Sequence, residues 1–240
     1  MRQLLVADLR LQPYADALAF QREVARARID GAIEDDVLLL VEHPPVVTLG
    51  RSAKSAHLLA SPAYLREQGV DVFEVERGGD VTFHGPGQLV GYPIIDLKQH
   101  RRDLHWYLRQ VEQLLIDALS KYGLRCDRNP PYTGVWIDDR KIASIGVHAR
   151  DWVTWHGFAL NVATDLRFFD LIVPCGIQSV RMTSLHAELR DENLSLAEVG
   201  EHVVTAAARL FDLTPRSVTG DEIASALHDS TNAATERAIR

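Results

Sequence analysis

Apolar positions along the chain fall into short runs and stripes. From Pro13 to about Arg28, Tyr14, Leu18 and Val24 give a weak apolar face at helical spacing. Residues 37–41 (VLLLV) form a continuous apolar run stopped by Pro44 and Pro45, which predicts a short buried strand, and residues 46–49 resume as another. Residues 72–76 alternate, and Gly78-Gly79 marks a tight turn after them. Residues 89–97 predict a further strand, in which Pro93, lacking an N–H, requires an edge or a bulge.

The clearest helix lies between Asp103, a good N-cap, and Gly123, a good terminating glycine, with Leu104, Leu108, Val111, Leu115, Ala118 and Tyr122 as its apolar stripe. Strands are expected at 133–137, 141–149 and 152–162, separated by Asp138-Asp139-Arg140 and Arg150-Asp151. Ser195 and Glu198 form a capping box heading a last helix whose Leu196, Val199, Val203 and Leu210 share a side. Strands and helices mix without the regular alternation of parallel βαβ units. The expected fold is α+β, a mixed or mainly antiparallel sheet with packed helices, in one domain over 1–215. Large apolar residues thin out after Pro215, so 216–240 is expected to be a weakly structured or disordered tail.

Composition narrows the class. The chain has 240 residues, 46% of them hydrophobic, enough for one large domain with a substantial core. A net charge of -7 argues against a general nucleic-acid binder. Cys126 and Cys175 form no CxxC pair, which points to a reducing compartment. Asp8 and Arg10 interrupt the N-terminal apolar residues, so no signal peptide is expected, and no apolar run is long enough to span a membrane. A cytoplasmic protein is the expectation. HExxH and GxSxG are absent, and the histidines lack metal-ligand spacing with the cysteines, so neither a metal nor a serine nucleophile is expected.

Three segments look like chemistry. Residues 77–93, RGGDVTFHGPGQLVGYP, hold five glycines and two prolines around His84. They match neither a phosphate loop nor a dinucleotide fingerprint, and Gly78-Gly79 allows close backbone approach by a ligand. The plainer alternative is a glycine-rich hairpin with a core histidine. In residues 140–148, RKIASIGVH, Lys141 begins an alternating strand; it is one of only four lysines, with Lys54, Lys98 and Lys121. A solvated lysine is the bland alternative. In residues 172–177, IVPCGI, Cys175 sits between Pro174 and Gly176, a better place for a nucleophile than for a buried hydrophobe, although spacing alone leaves both open. Cys126 has no such support.

Together these strings, with LLLVEHPPVVTLGR at 38–51 and WHGFALNV at 155–162, resemble the lipoyl(octanoyl) transferase family. The resemblance implies the catalytic-domain fold of biotin and lipoate protein ligases, without cofactor or ATP. It implies transfer of an octanoyl group from octanoyl-acyl carrier protein to a lysine of a lipoyl domain, in oxoacid dehydrogenase subunits or the glycine-cleavage H protein. By the matched motifs, Cys175 carries the acyl thioester and Lys141 lowers its pKa. His84 is assigned to the catalytic site. The acyl site is expected to be lined by Arg77, Gly78, Gly79, Asp80, Val81, Thr82, Phe83 and His84, by Ser144, Ile145 and Gly146, and by Gly157, Phe158 and Ala159. No nucleic acid or membrane partner is implied.

A lysine ammonium beside a cysteine stabilises the attacking thiolate. Backbone N–H groups around Gly176 or Gly78-Gly79 are the expected oxyanion donors. Lys98, Arg101, Arg102, Arg51 and Lys54 are the expected basic patch for acidic protein partners. Two alternatives remain open from sequence: an ATP-dependent lipoate or biotin ligase on the same fold, and a non-catalytic module that only binds lipoyl domains or acyl groups.

Overall fold

The computed structural model describes residues 2–178, 180–191 and 193–227. Its elements, in chain order, are β1 (Gln3–Leu11), α1 (Tyr14–Ile29), β2 (Asp36–Glu42), β3 (Val46–Leu49), α2 (Pro62–Glu67), β4 (Asp71–Glu74), β5 (Val81–His84), β6 (Gln88–Ile94), α3 (Leu104–Ser120), β7 (Val135–Ile137), β8 (Arg140–Arg150), β9 (Val153–Asn161), β10 (Arg181–Met182), α4 (Leu185–Leu189), α5 (Leu196–Phe211) and β11 (Thr214–Ser217). Eight strands make one sheet in the order β10-β8-β9-β6-β2-β1-β11, with β7 also on β8; β4-β3-β5 form a second, smaller sheet. The large sheet is mixed: β2, β6, β9 and β8 run antiparallel, while β1 pairs parallel with both β2 and β11. This is the expected α+β arrangement.

The continuous apolar run of β2 is explained by burial on both sides. Successive side chains point to opposite faces. Leu38 and Leu40 join the core formed with α3 and α5, and Val37, Leu39 and Val41 join the core formed with α1. The weak stripe of α1 also has a cause: its buried positions include Gln21 and Arg28, which satisfy polar groups instead of adding apolar surface. Both strong helices carry the expected N-cap, although of the capping box at Ser195 only the serine half is seen among the described residues. Asp103 accepts from the Trp106 N–H at 3.0 Å, and Ser195 from the Glu198 N–H at 3.2 Å.

Pro93 sits in β6, inside the sheet. Pairing of β6 with β9 stops at Gly91↔Phe158, so the missing N–H falls beyond that ladder. Opposite it β9 kinks, with His156 at φ 55, and the His156 N–H is taken by Gln21 Oε1 of α1 at 2.9 Å. A local break in pairing is thus rescued by a buried side chain.

The boundary expected at 216 is corrected. Ser217 completes β11 against Val6 of β1, residues 220–227 are helical, and Ile223 is buried against the α1 side of the sheet. The rest of the expected tail, 228–240, lies outside the described residues.

Candidate active site

The nucleophile turn is built on an unusual backbone. Cys175 lies in the one-turn segment Pro174–Gly176 with φ 57 and ψ 17, and Gly176 follows at φ 68. The Gly176 N–H donates to Val173 O at 2.9 Å, and the Val173 N–H donates to His57 O at 2.7 Å. Cys175 as a residue is half-buried.

Lys141 reaches it from β8. Its Nζ donates to Cys175 Sγ at 3.0 Å, and Ser144 Oγ lies 3.8 Å from the same sulfur. Strict alternation would send residues 141 and 144 to opposite faces. The register of β7 on β8 runs Val135↔Ala143, then Trp136↔Lys141, so β8 carries one extra residue there. That bulge lets both side chains converge on the sulfur. Lys141 is only 1% exposed and its Nζ lies 5.5 Å from the centre of the Trp136 ring. Its stem runs where a side chain at residue 134 would lie, since a Cβ on Gly134 would meet Lys141 Cε at 2.6 Å.

These contacts set the ionisation. Burial pushes the Cys175 thiol up, but the Lys141 ammonium, the hydrogen bonds from Lys141 and Ser144 and the nearby Arg77 outweigh it, and the net shift is downward from 9.0. Cys126 shows the opposite balance: burial and the Glu188 charge push its thiol up to about 12.

The Arg77–Asp80 turn forms the wall facing this dyad. Arg77 is buried, with Nη1 donating to Asp80 O at 2.8 Å and Nη2 to Thr48 O and Oγ1, each at 2.8 Å. The Gly78 N–H donates to Val147 O at 2.8 Å, and a Cβ on Gly146 would meet Gly78 O at the same distance. The glycines therefore let the turn lie directly on β8. His84 Nδ1 lies 2.8 Å from Gln88 Oε1, and Gln88 Nε2 donates to Asn161 Oδ1 at 2.9 Å. The His84 proton is thus on Nδ1, leaving Nε2 as an acceptor 3.4 Å from Thr48 Oγ1. Burial, with the nearby His43 and Arg77, holds its pKa well below 6.5, so His84 is neutral. Among the described residues it hydrogen-bonds to neither Cys175 nor Lys141.

These elements enclose a cavity of 520 Å³ lined by Cys175 and Lys141 and by Arg77, Gly78, Gly79, Asp80, Thr82, His84, Ser144, Ile145, Gly146, Gly157, Phe158 and Ala159. Two residues expected to line it do not. Val81 and Phe83 alternate with Thr82 and His84 along β5, and pack behind the site with Val47, Leu65, Phe169 and Ile172. The sequence reading missed Tyr14 of α1, Val90 and Tyr92 of β6, His156 of β9, and an outer lip of Leu104, Leu108, Pro131, Tyr132 and Thr133. Leu104 and Leu108 belong to the stripe of α3, yet they face the cavity, while Tyr107 between them is buried in the core. Leu104 and Tyr132 are each 41% exposed at this lip.

Two of the expected oxyanion donors, the N–H groups of Gly78 and Gly176, are committed to backbone carbonyls. All five residues of the expected basic patch are exposed, and two of them are paired, Lys98 with Asp96 and Arg101 with Asp103. The Arg51 N–H donates to Arg77 O at 3.0 Å, which puts this arginine beside the cavity wall. Among the described residues no cluster could hold a metal ion, and no helix is long and apolar enough to cross a membrane.

Known proteins resemble the chain along most of its length. It is 50% identical over 212 residues to an octanoyltransferase of Solibacter usitatus, covering 88% of this chain and 94% of that one. It is 54% identical over 197 residues to an octanoyltransferase of Rubrobacter xylanophilus, covering 81% and 87%. Among solved structures it resembles a lipoate-protein ligase A bound with ATP, with TM-score 0.70 and 17% identity over 95% of this chain and 94% of that one. A bipartite lipoate protein ligase from Thermoplasma acidophilum superposes equally well, with TM-score 0.70 and 17% identity over 95% and 92%. At that identity the two ligases bear on the fold alone. The lipoyl protein ligase A/B catalytic domain model matches residues 13–208, and with relatives this similar the chain belongs to that family.

Proposed function

We propose that this protein transfers an octanoyl group from octanoyl-acyl carrier protein to the lysine amine of a lipoyl domain, through a thioester on Cys175. The observation that carries the proposal is the 3.0 Å contact from Lys141 Nζ to Cys175 Sγ inside a cavity sized for a small acyl group. Relatives named octanoyltransferase, about half identical to this chain, support the choice of acyl group.

The chemistry proceeds in two half-reactions. The Cys175 thiolate attacks the carbonyl carbon of the octanoyl thioester, the carbon–sulfur bond to the carrier breaks, and the departing thiolate takes a proton from the Lys141 ammonium. Thioester exchange is nearly isoenergetic, so no ATP is needed. The incoming lysine arrives as a neutral amine and attacks the acyl-enzyme carbonyl, and Lys141, now itself neutral, takes the one proton that its nitrogen loses. The amide forms, and Cys175 leaves as the thiolate beside a restored ammonium. Burying about six methylenes of the acyl chain supplies at most about 5 kcal/mol of binding. Ile145, Phe158, Leu108 and Val90 offer the apolar surface for it. His84, neutral and fixed through Gln88, acts as an acceptor in the wall. The donor and acceptor proteins dock over the Leu104–Tyr132 lip, with Arg51, Lys54 and Arg102 meeting acidic surfaces. The two free thiols suit work in the cytoplasm.

The test is transfer from octanoyl-carrier protein to a lipoyl domain in buffer without ATP. Turnover should proceed, and Cys175→Ala should abolish it. A strict ATP requirement, or full turnover by Cys175→Ala, would overturn the proposal.

A further inference from the structure

A non-glycine residue in the left-handed region persists only where its surroundings hold it there. Cys175 at φ 57 is such a residue, and its neighbour Gly176 shares the conformation. The structure shows what grips this turn at Gly176, the residue after the cysteine. A Cβ on Gly176 would lie 2.6 Å from Asp80 Oδ2 and 3.1 Å from His57 Cε1. The turn therefore rests directly on a paired imidazole and carboxylate, with His57 Nδ1 2.7 Å from Asp80 Oδ2. A carboxylate only accepts, so His57 Nδ1 carries the proton and donates.

Both members are anchored. Asp80 Oδ1 accepts the Val81 N–H at 2.8 Å, and Asp80 O accepts Arg77 Nη1 at 2.8 Å and the Gly50 N–H at 3.2 Å. The His57 carbonyl accepts the Val173 N–H at 2.7 Å, two residues before the cysteine, and the N–H groups of Leu59 and Ala60 both donate to Leu171 O. The segment around His57 thus holds the turn before Cys175 through its backbone and after Cys175 through its side chain.

We infer that His57 and Asp80 are positioning residues that hold the Pro174–Gly176 turn so that the Cys175 sulfur faces Lys141. Asp80 then serves the reaction by holding the nucleophile's turn as well as by lining the cavity. His57 also keeps the carboxylate bonded and turned toward the imidazole; an unpaired carboxylate at Gly176 would oppose formation of the thiolate. The inference rests on Cys175 being the nucleophile.

The test compares His57→Phe, which keeps a ring without the Nδ1–H, and Asp80→Ala with Asp80→Asn, which keeps an acceptor of the same shape. Two rates are read: alkylation of Cys175 by iodoacetamide at neutral pH, located by peptide mapping, and octanoyl transfer at saturating donor. His57→Phe and Asp80→Ala should each slow both rates roughly tenfold, while KM for the carrier and thiol alkylation elsewhere stay within about twofold. Asp80→Asn should recover most of both rates. Should one of the first two variants not fold, the other gives the same comparison against Asp80→Asn. Wild-type alkylation and kcat in a folded His57→Phe or Asp80→Ala protein, with only its melting temperature lowered, would overturn the inference and leave the pair a purely structural contact. Failure of the nucleophile assignment looks different: wild-type protein would then form no octanoyl adduct at Cys175, whatever its alkylation rate.

Discussion

Of the buried ionic clusters in this fold, two differ in what they face: one is enclosed by the protein and the other opens on the cavity. In the first, Arg28 at the end of α1 donates through Nη2 to Asp36 Oδ1 at 2.7 Å, the same oxygen accepts the Asp96 N–H at 2.9 Å, and His100 Nε2 lies 2.6 Å from Asp36 Oδ2. Arg28 Nη1 is also used, on Ile33 O. Both oxygens of Asp36 are engaged, and the cluster ties α1, β2 and the segment before α3 together. In the second, the Lys141 ammonium has three protons to donate and, among the described residues, one hydrogen-bond partner, a cysteine sulfur at the edge of the 520 Å³ cavity. Burial of charge is common to both. What marks the reactive site is a buried cation whose partner can ionise, bond covalently to a substrate and be released, in a place a substrate can reach.

The largest expected effect breaks the reactive cluster alone. Cys175→Ala should abolish transfer. Lys141→Met, which keeps the volume of the stem, should cost roughly 10²- to 10⁴-fold in kcat, the scale of a lost acid–base group. Thermal unfolding of Lys141→Met should stay close to wild type, since it leaves no unpaired buried charge, whereas Cys175→Ala takes the sulfur away from the buried Lys141 ammonium and should unfold at a lower temperature. A Lys141→Met enzyme with wild-type kcat would remove the lysine from the mechanism.

Breaking the structural cluster should give the opposite pattern. Asp36→Ala strands Arg28 in the interior and should cost about 3–5 kcal/mol of stability, read by urea unfolding, because one partner of a buried pair is removed. The folded fraction should keep its kcat within about twofold. A large kcat loss without destabilisation would mean that this cluster reaches the chemistry after all.

A pH series sharpens the contrast. The Cys175 thiol is lowered from 9.0, so its alkylation rate should rise with pH and level off before the ordinary thiol range is reached. The folded state then holds fewer protons than the unfolded chain between the lowered value and 9.0. Stability from the thiolate is accordingly full above 9.0 and is lost as pH falls through the lowered folded value. In Lys141→Met, burial acts with one main opponent fewer, and the alkylation midpoint should move upward. An unchanged midpoint would contradict the assigned cause.

The smallest effect is expected at Cys126. Its thiol is pushed up to about 12, so it should resist alkylation at neutral pH, and Cys126→Ala should leave transfer within about twofold. Preferential labelling of Cys126 in wild-type protein would reverse the ranking of the two thiols.

The sequence made these assignments legible unevenly. The β2 run, the capped stripes of α3 and α5, and the strands β7 to β9 were readable because period, caps and turns agree there. β1 was not, since Asp8 and Arg10 interrupt its pattern, and β11 was not, since Thr214–Ser217 is exposed and gains its place only by pairing with β1. Cys175 and Lys141 were visible as parts of motifs, yet nothing along the chain measures the gap between them. Val81 and Phe83 were drawn into the site because a motif string does not show its own pleat. His57 carried no signal, since its role depends on Asp80 and the cysteine turn, both far away in sequence. The bulge in β8 that aims Lys141 and Ser144 at one sulfur is likewise a product of pairing, not of spacing.

The central claim is that Cys175 carries the acyl group. Incubating the protein with octanoyl-carrier protein and no acceptor, then measuring intact mass and mapping peptides, tests it directly. One octanoyl group should appear on Cys175, be lost on adding a lipoyl domain, and be absent in Cys175→Ala. Transfer to the lipoyl domain with no adduct on Cys175, or with the group on another residue, would contradict it.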